Sequence, residues 1–139
     1  GEIHQYDKPS SLISKPKTLF VNSFILGNNI LKIKVENNIV ISSIGRLKIT
    51  NLQTNSEVQY LAISPQSFSI KKDNNGKALV LSKEFLGEFY IYKVLIENEK
   101  IRVRTSINND LKLGDRCTLK IFERSNFYLY PGAHKNLIL

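Results

Sequence analysis

The residue types that most often perform chemistry are few in this sequence, and their spacing matches no catalytic or metal site. His4 and His134 are the only two histidines and lie near opposite ends, and Cys117 is the only cysteine. A nucleophilic pair of Cys117 and His134 would depend on an accident of folding. The same residues lack the spacing of a zinc site. We therefore expect no catalytic residue and no metal centre.

Two further patterns resemble catalytic motifs only superficially. Gly76-Lys77 is followed by Ala78, and no glycine stands where a phosphate-binding loop requires one. Glu84 and Glu88 flank a predicted strand bend, and two solvated carboxylates are the simpler interpretation of that pair. We expect this chain to be no enzyme and to bind no cofactor.

The elements that would carry these residues are short strands, which are clearest over residues 79–121. The runs there are rich in β-branched and aromatic residues and are bounded by turn residues. Ile101 and Val103 alternate with Arg102 and Arg104. A period of two with basic residues outward predicts a half-buried antiparallel strand.

Turn residues predict how the strands connect. The polar segment 97–100 predicts a hairpin, and the Asn-Gly pair at 75–76 favours a tight reverse turn. The pair at 37–38 is Asn-Asn, which tolerates positive φ. Gly87 separates two apolar runs, which predicts a strand bend or bulge of the kind that turns the corner of a small barrel.

Regularly spaced short strands with little helix predict an all-β fold, either a sandwich or a barrel. The small number of predicted strands and the bend at Gly87 favour an OB-like barrel of short antiparallel strands.

The N-terminal segment differs from the rest and predicts one or two short helices before the barrel. Pro9 and Pro16 suit helix starts. Phe20 and Phe24 are four residues apart and would share a helix face. Together with Leu12 they form an apolar set that requires cover, so we expect Leu12, Phe20 and Phe24 to dock on a partner.

The formal net charge of +8 favours anionic partners such as nucleic acid, phospholipid headgroups or an acidic protein surface. The basic residues are scattered, however, and a solvated basic surface is the simpler interpretation.

No apolar run is long enough for a transmembrane helix. Cys117 lies on the apolar face of a predicted strand, so we expect a buried thiol, which fits a reducing compartment. The sequence lacks methionine, so we expect Gly1 to be a cloning remnant or a cut point in a longer protein.

Several motifs resemble those of the ATP-binding subunits of bacterial ABC importers, in the same order along nearly the whole chain. In that family a segment G-x-I-x-Q-x-G-x-P…P…F-V-A-x-F-I-G ends the nucleotide-binding domain. The matching positions are Gly1, Ile3, Gln5, Pro9, Leu12, Pro16, Phe20, Val21, Phe24, Ile25 and Gly27. Downstream, residues 62–66 resemble the family's I-R-P-E element and 84–87 its E-F-L-G element. Residues 113–121 resemble its G-D-x-V-x-L strand and 127–130 its final aromatic strand.

The chain departs from the family pattern at four positions. Asp7 replaces a glycine and Asn22 replaces the alanine of F-V-A. Ser64 and Gln66 replace the arginine and glutamate of I-R-P-E. The resemblance implies that Ser64, Pro65 and Gln66 form a regulatory element, which here lacks the charged contacts of its counterpart.

The resemblance implies a TOBE domain, which is an OB-like barrel that regulates and dimerises the importer ATPase. Residues 1–27 would be the helical link from a missing nucleotide-binding domain, 28–131 the barrel and 132–139 a tail. ATP and Mg would bind only in the missing domain. The implied partners are that domain, a second copy in a homodimer and, through the full-length protein, the membrane subunits of an iron, polyamine or sugar importer. The implied location is cytoplasmic, at the inner face of the membrane.

An alternative function is a free-standing OB-fold module that binds single-stranded nucleic acid, which we rank below the importer domain and above a small enzyme. Such modules need aromatic residues on an outer face beside basic ones, because bases stack on them. Tyr90 and Tyr92 alternate with Phe89 and are expected in the core. Phe89 shares the other face with Ile91 and Lys93 and is the best stacking candidate.

Overall fold

The computed structural model describes residues 4–5, 27–48, 58–123, 125 and 127–131. Within those ranges the chain forms antiparallel strands and one short 3-10 turn, which confirms the predicted all-β class. The predicted N-terminal helices, with Leu12, Phe20 and Phe24, lie outside the described residues, as does the predicted tail 132–139.

The strands fall into two compact units. Unit 1 comprises the described residues of Gly1–Ser64 and Arg124–Leu139, and unit 2 is Pro65–Glu123. The elements in chain order are β1 (His4–Gln5), β2 (Asn29–Lys32), β3 (Lys34–Glu36), β4 (Ile39–Ser42), β5 (Gly45–Lys48), β6 (Val58–Ile63), the 3-10 turn (Pro65–Ser67), β7 (Phe68–Lys72), β8 (Ala78–Phe85), β9 (Phe89–Ile96), β10 (Glu99–Ser106), β11 (Arg116–Ile121) and β12 (Phe127–Pro131).

Unit 1 is built around β6, which is central in the sheet β1-β12-β6-β2. Successive side chains of β6 point to opposite faces, yet residues 60–63 are all buried, so both faces of this strand are covered. One face holds a cluster of Tyr60, Ala62 and Tyr130. The second sheet of this unit, β3-β4-β5, is a meander of two hairpins.

Unit 2 is a five-stranded antiparallel sheet with the order β10-β9-β8-β11-β7. The two outer strands of that order, β7 and β10, lie close to each other, so the sheet curls toward a barrel. Ile101 and Val103 are buried, whereas Arg102 and Arg104 are exposed, as the alternation predicts. The buried core residues are Phe68, Ile70, Ala78, Val80, Tyr92, Val94, Ile96, Ile101, Val103, Leu111, Cys117 and Leu119.

Two hairpins have two-residue turns in which both central residues take positive φ. Glu97 and Asn98, with φ of 46° and 69°, join β9 to β10 and confirm the predicted hairpin. Asn37 and Asn38, with φ of 50° and 64°, join β3 to β4. Two positive φ values match the right-handed twist of the flanking strands.

Gly87 lies in a turn, not in a bend within a strand as the sequence predicted. The Leu86 N–H donates to the Phe89 carbonyl oxygen (2.9 Å), so Gly87 and Glu88 form the tip of the β8–β9 hairpin. Gly87 has φ 88°, a positive value that suits glycine at the first central position of a two-residue hairpin turn. The β8–β9 register instead shifts between Val80 and Ser82, which leaves Leu81 as the extra residue of a bulge.

The predicted Asn-Gly turn forms, but Gly76 is needed there for a different reason. The Gly76 N–H donates to the Asp73 carbonyl oxygen (2.8 Å) and closes the turn. A Cβ atom on Gly76 would lie 2.2 Å from the carbonyl oxygen of Cys117. The absence of a side chain therefore lets β11 approach this turn closely.

Candidate functional site

The predicted regulatory element lies where the chain passes from unit 1 to unit 2. Ser64 follows β6, and Pro65 and Gln66 begin the 3-10 turn. Gln66 is exposed, whereas Ser64 and Pro65 are half-buried. The Phe122 N–H donates to the Ser67 carbonyl oxygen (2.9 Å), which ties this turn to the end of β11.

Asp73 stabilises the turn between β7 and β8. Its Oδ2 accepts a hydrogen bond from Thr118 Oγ1 (2.8 Å), and its Oδ1 accepts one from the Asn75 N–H (2.9 Å). These bonds to Thr118 and Asn75 favour the ionised form and lower the pKa of Asp73.

Asp115 and Cys117 lie at the start of β11. Asp115 Oδ2 accepts a hydrogen bond from the Lys112 N–H (2.8 Å), and Oδ1 lies 3.8 Å from Lys72 Nζ. Cys117 is fully buried and free. Burial and, second, the negative charge of Asp115 raise the pKa of the Cys117 thiol to about 11. The thiol therefore stays protonated at neutral pH, as expected for a structural cysteine.

An aromatic and cationic group lies on the inner face of the β8–β9 hairpin. The register places Lys83 opposite Tyr92 and Phe85 opposite Tyr90. The Lys83 ammonium lies 4.3 Å from the Tyr90 ring centroid, and the Phe85 and Tyr90 centroids are 5.6 Å apart. Tyr92 is buried, as predicted, but Tyr90 is half-buried and Phe85 is 59% exposed.

The opposite surface of the β9–β10 hairpin, here called the outer basic face, combines one aromatic residue with several cations. Its members are Phe89, Ile91, Lys93, Leu95, Lys100, Arg102 and Arg104. The Arg104 guanidinium carbon lies 3.7 Å from the Phe89 ring centroid, which is stacking distance. The register sets Arg104 opposite Ile91 and Arg102 opposite Lys93.

Phe89 is the stacking candidate that the sequence predicted, whereas its partner Arg104 was not predicted. The two residues lie far apart in sequence. On the hairpin they are diagonal neighbours, because the residue directly opposite Phe89 is Ser106 and the residue directly opposite Arg104 is Ile91. The signal that identifies the pair is the two-residue turn at Glu97 and Asn98, since its length determines every pairing of β9 with β10.

Among the described residues, no group of histidine, cysteine, aspartate or glutamate side chains has the geometry of a metal site. In the same part of the chain, no helix has the length and apolar character that crossing a membrane requires. No family model matches the chain, and no curated protein is significantly similar to it.

Proposed function

We propose that this chain is a C-terminal regulatory and dimerisation module of the TOBE type from the ATP-binding subunit of an ABC importer. The observation that carries the proposal is the order of the family-like motifs along the chain, combined with their places in an all-β fold. The E-F-L-G-like element ends in the hairpin turn at Gly87. Gly114 of the G-D-like element has φ 86°, and it follows Leu113 in the turn before β11.

The pairing of β1 with β12 supports the same proposal. His4 is opposite Leu129 and Gln5 is opposite Tyr128, so the segment that resembles G-x-I-x-Q pairs with the strand that resembles the family's final aromatic strand. A link entering from a nucleotide-binding domain would thereby be held to the last strand of the module. Through β12 this pair is also connected to β6.

The proposed module contributes no ATP chemistry of its own. It acts by binding its own nucleotide-binding domain and a second copy of the subunit at the cytoplasmic face of the membrane. The transported substrate would be iron, a polyamine or a sugar. The resemblance assigns the regulatory role to the element at Ser64, Pro65 and Gln66, which connects β6 to β7.

Sedimentation velocity combined with titration of MgATP tests the proposal. We expect concentration-dependent dimers and no ATP binding by this chain. Replacing Phe20 and Phe24 together by serine should shift the protein toward monomer, because these residues are proposed to dock on a partner. Phe122→Ser is the matched control, since this phenylalanine is exposed and lies outside the proposed docking set. Tight ATP binding, or a monomer at every concentration, would contradict the proposal.

A further inference from the structure

The outer basic face has the charge and the planar surfaces that an extended nucleic-acid strand requires, and we propose that it binds single-stranded nucleic acid. This activity is independent of the importer role proposed above. It rests on three observations, which are the spacing of the cations on β10, the stacked pair of Phe89 and Arg104, and the half-buried apolar residues between the cations.

The cations of β10 form a regular row. Lys100, Arg102 and Arg104 alternate with the buried Ile101 and Val103, so all three point to the same face. Alternate residues of an antiparallel strand repeat about every 6.8 Å. This repeat is similar to the separation of successive phosphates along an extended single strand. Successive phosphates can therefore contact neighbouring cations of the row without bending the strand.

Lys93 adds a fourth cation to the face. It lies on β9 directly opposite Arg102 and is exposed. One carboxylate adjoins the face on the β8 side, where Glu84 is opposite Ile91. A polyanion is therefore favoured along β10 and less favoured beside Glu84.

The stacked pair of Phe89 and Arg104 provides a contact to a base, which phosphate binding alone does not provide. Phe89 is half-buried, and its ring centroid lies 3.7 Å from the guanidinium carbon of the exposed Arg104. At this distance the ring lies against one side of the guanidinium group, and we infer that a base stacks on the other side. Arg104 is thus the residue that contacts the base, and Phe89 is a positioning residue that acts through Arg104. Ile91 and Leu95 are half-buried and provide apolar contact for neighbouring bases.

Fluorescence anisotropy with a labelled oligothymidine tests the proposal on the full chain. We expect binding whose logarithmic salt dependence has a slope of about −2, because the phosphate contacts of Lys93, Lys100 and Arg102 contribute about 0.7 each for a single strand. Arg104→Ala and Phe89→Ala should each weaken binding about tenfold, the lower range of one lost base stack. Circular dichroism verifies that each variant is folded.

Arg104→Lys separates stacking from charge. Lysine keeps the charge but has no planar group, so we expect an affinity loss similar to that of Arg104→Ala with the wild-type salt slope. Phe89→Tyr should retain wild-type affinity, because the ring that orients Arg104 remains. An Arg104→Lys variant that binds as tightly as wild type would overturn the proposal that Arg104 stacks on a base.

Two control variants lie off the outer basic face. Phe85→Ala removes an exposed aromatic residue on the inner face of the same sheet, and Lys120→Ala removes an exposed cation on β11. Both should bind as wild type does. The proposal is overturned by absence of binding at low salt, by equal losses in these controls, or by inorganic polyphosphate that displaces the oligonucleotide at equal phosphate concentration.

Discussion

Gly76 and Cys117 meet where the turn after β7 touches the backbone of β11. The carbonyl oxygen of Cys117 occupies the space that a Cβ atom of residue 76 would need. This oxygen belongs to the backbone and not to a flexible side chain, so the two backbone segments must separate if a methyl group is added to residue 76. This contact explains the glycine of the Asn-Gly pair better than turn geometry does, because Gly76 has no positive φ.

We predict that Gly76→Ala lowers the free energy of unfolding by about 2–3 kcal/mol, the cost of overpacking a rigid site. Urea denaturation measures the change. Lys77→Ala is the matched control, because its side chain is exposed one residue away and its loss should be nearly neutral. A Gly76→Ala variant as stable as this control would contradict the close contact.

The Cys117 thiol gives a pH dependence with a definite sign. Its pKa is raised from 9.0 to about 11 in the folded chain, so the folded state holds the proton more tightly than the unfolded state. The resulting stabilisation is complete below pH 9 and is lost as pH rises from 9 to 11. A shift of this size corresponds to about 2–3 kcal/mol.

We predict that Cys117→Ala is destabilising at neutral pH, because it leaves a small cavity, but that its disadvantage shrinks above pH 9. Thermal unfolding of both proteins across this range measures the difference, and the other titrating groups cancel in the comparison. A constant difference between the two melting temperatures would show that the pKa of the thiol is the same in the folded and unfolded states, which would contradict the prediction.

At the scale of elements, the hairpins of unit 2 could be predicted because their signals are local. The polar segment 97–100 predicted a hairpin, and the alternation of Ile101 and Val103 with the two arginines predicted which face is buried. The bulge at Leu81 could not be predicted, because it is set by how β8 must follow both β9 and β11. Gly87 was assigned to a bend because a glycine between two apolar runs suits a bend and a turn equally.

The β9–β10 turn carries backbone strain that a substitution can relieve. Glu97 has φ 46°, and a side chain without a short amide pays a steric penalty in this region. We predict that Glu97→Asn stabilises the fold by about 0.5–1 kcal/mol. Urea unfolding compares it with Glu99→Asn, where the same change falls in β10 and no gain is expected. Equal stability of the two variants would contradict a strained turn.

At the scale of the whole molecule, unit 2 is one continuous segment, whereas unit 1 is assembled from both ends of the chain. Its closing strand β12 pairs with β6 and β1, which are distant in sequence. Such long-range pairing leaves no local signal in the sequence. The candidate outer basic face could be predicted only in part for a similar reason, since Arg104 meets Phe89 only after the hairpin register is known.

The importer proposal depends on what this chain is attached to, and the gene itself tests it most directly. Sequencing the source DNA upstream of the Gly1 codon is that measurement. The proposal predicts a continuous reading frame that encodes a glycine-rich phosphate-binding loop and the rest of a nucleotide-binding domain. A start codon immediately before the Gly1 codon would contradict it and would make the chain a free-standing β module.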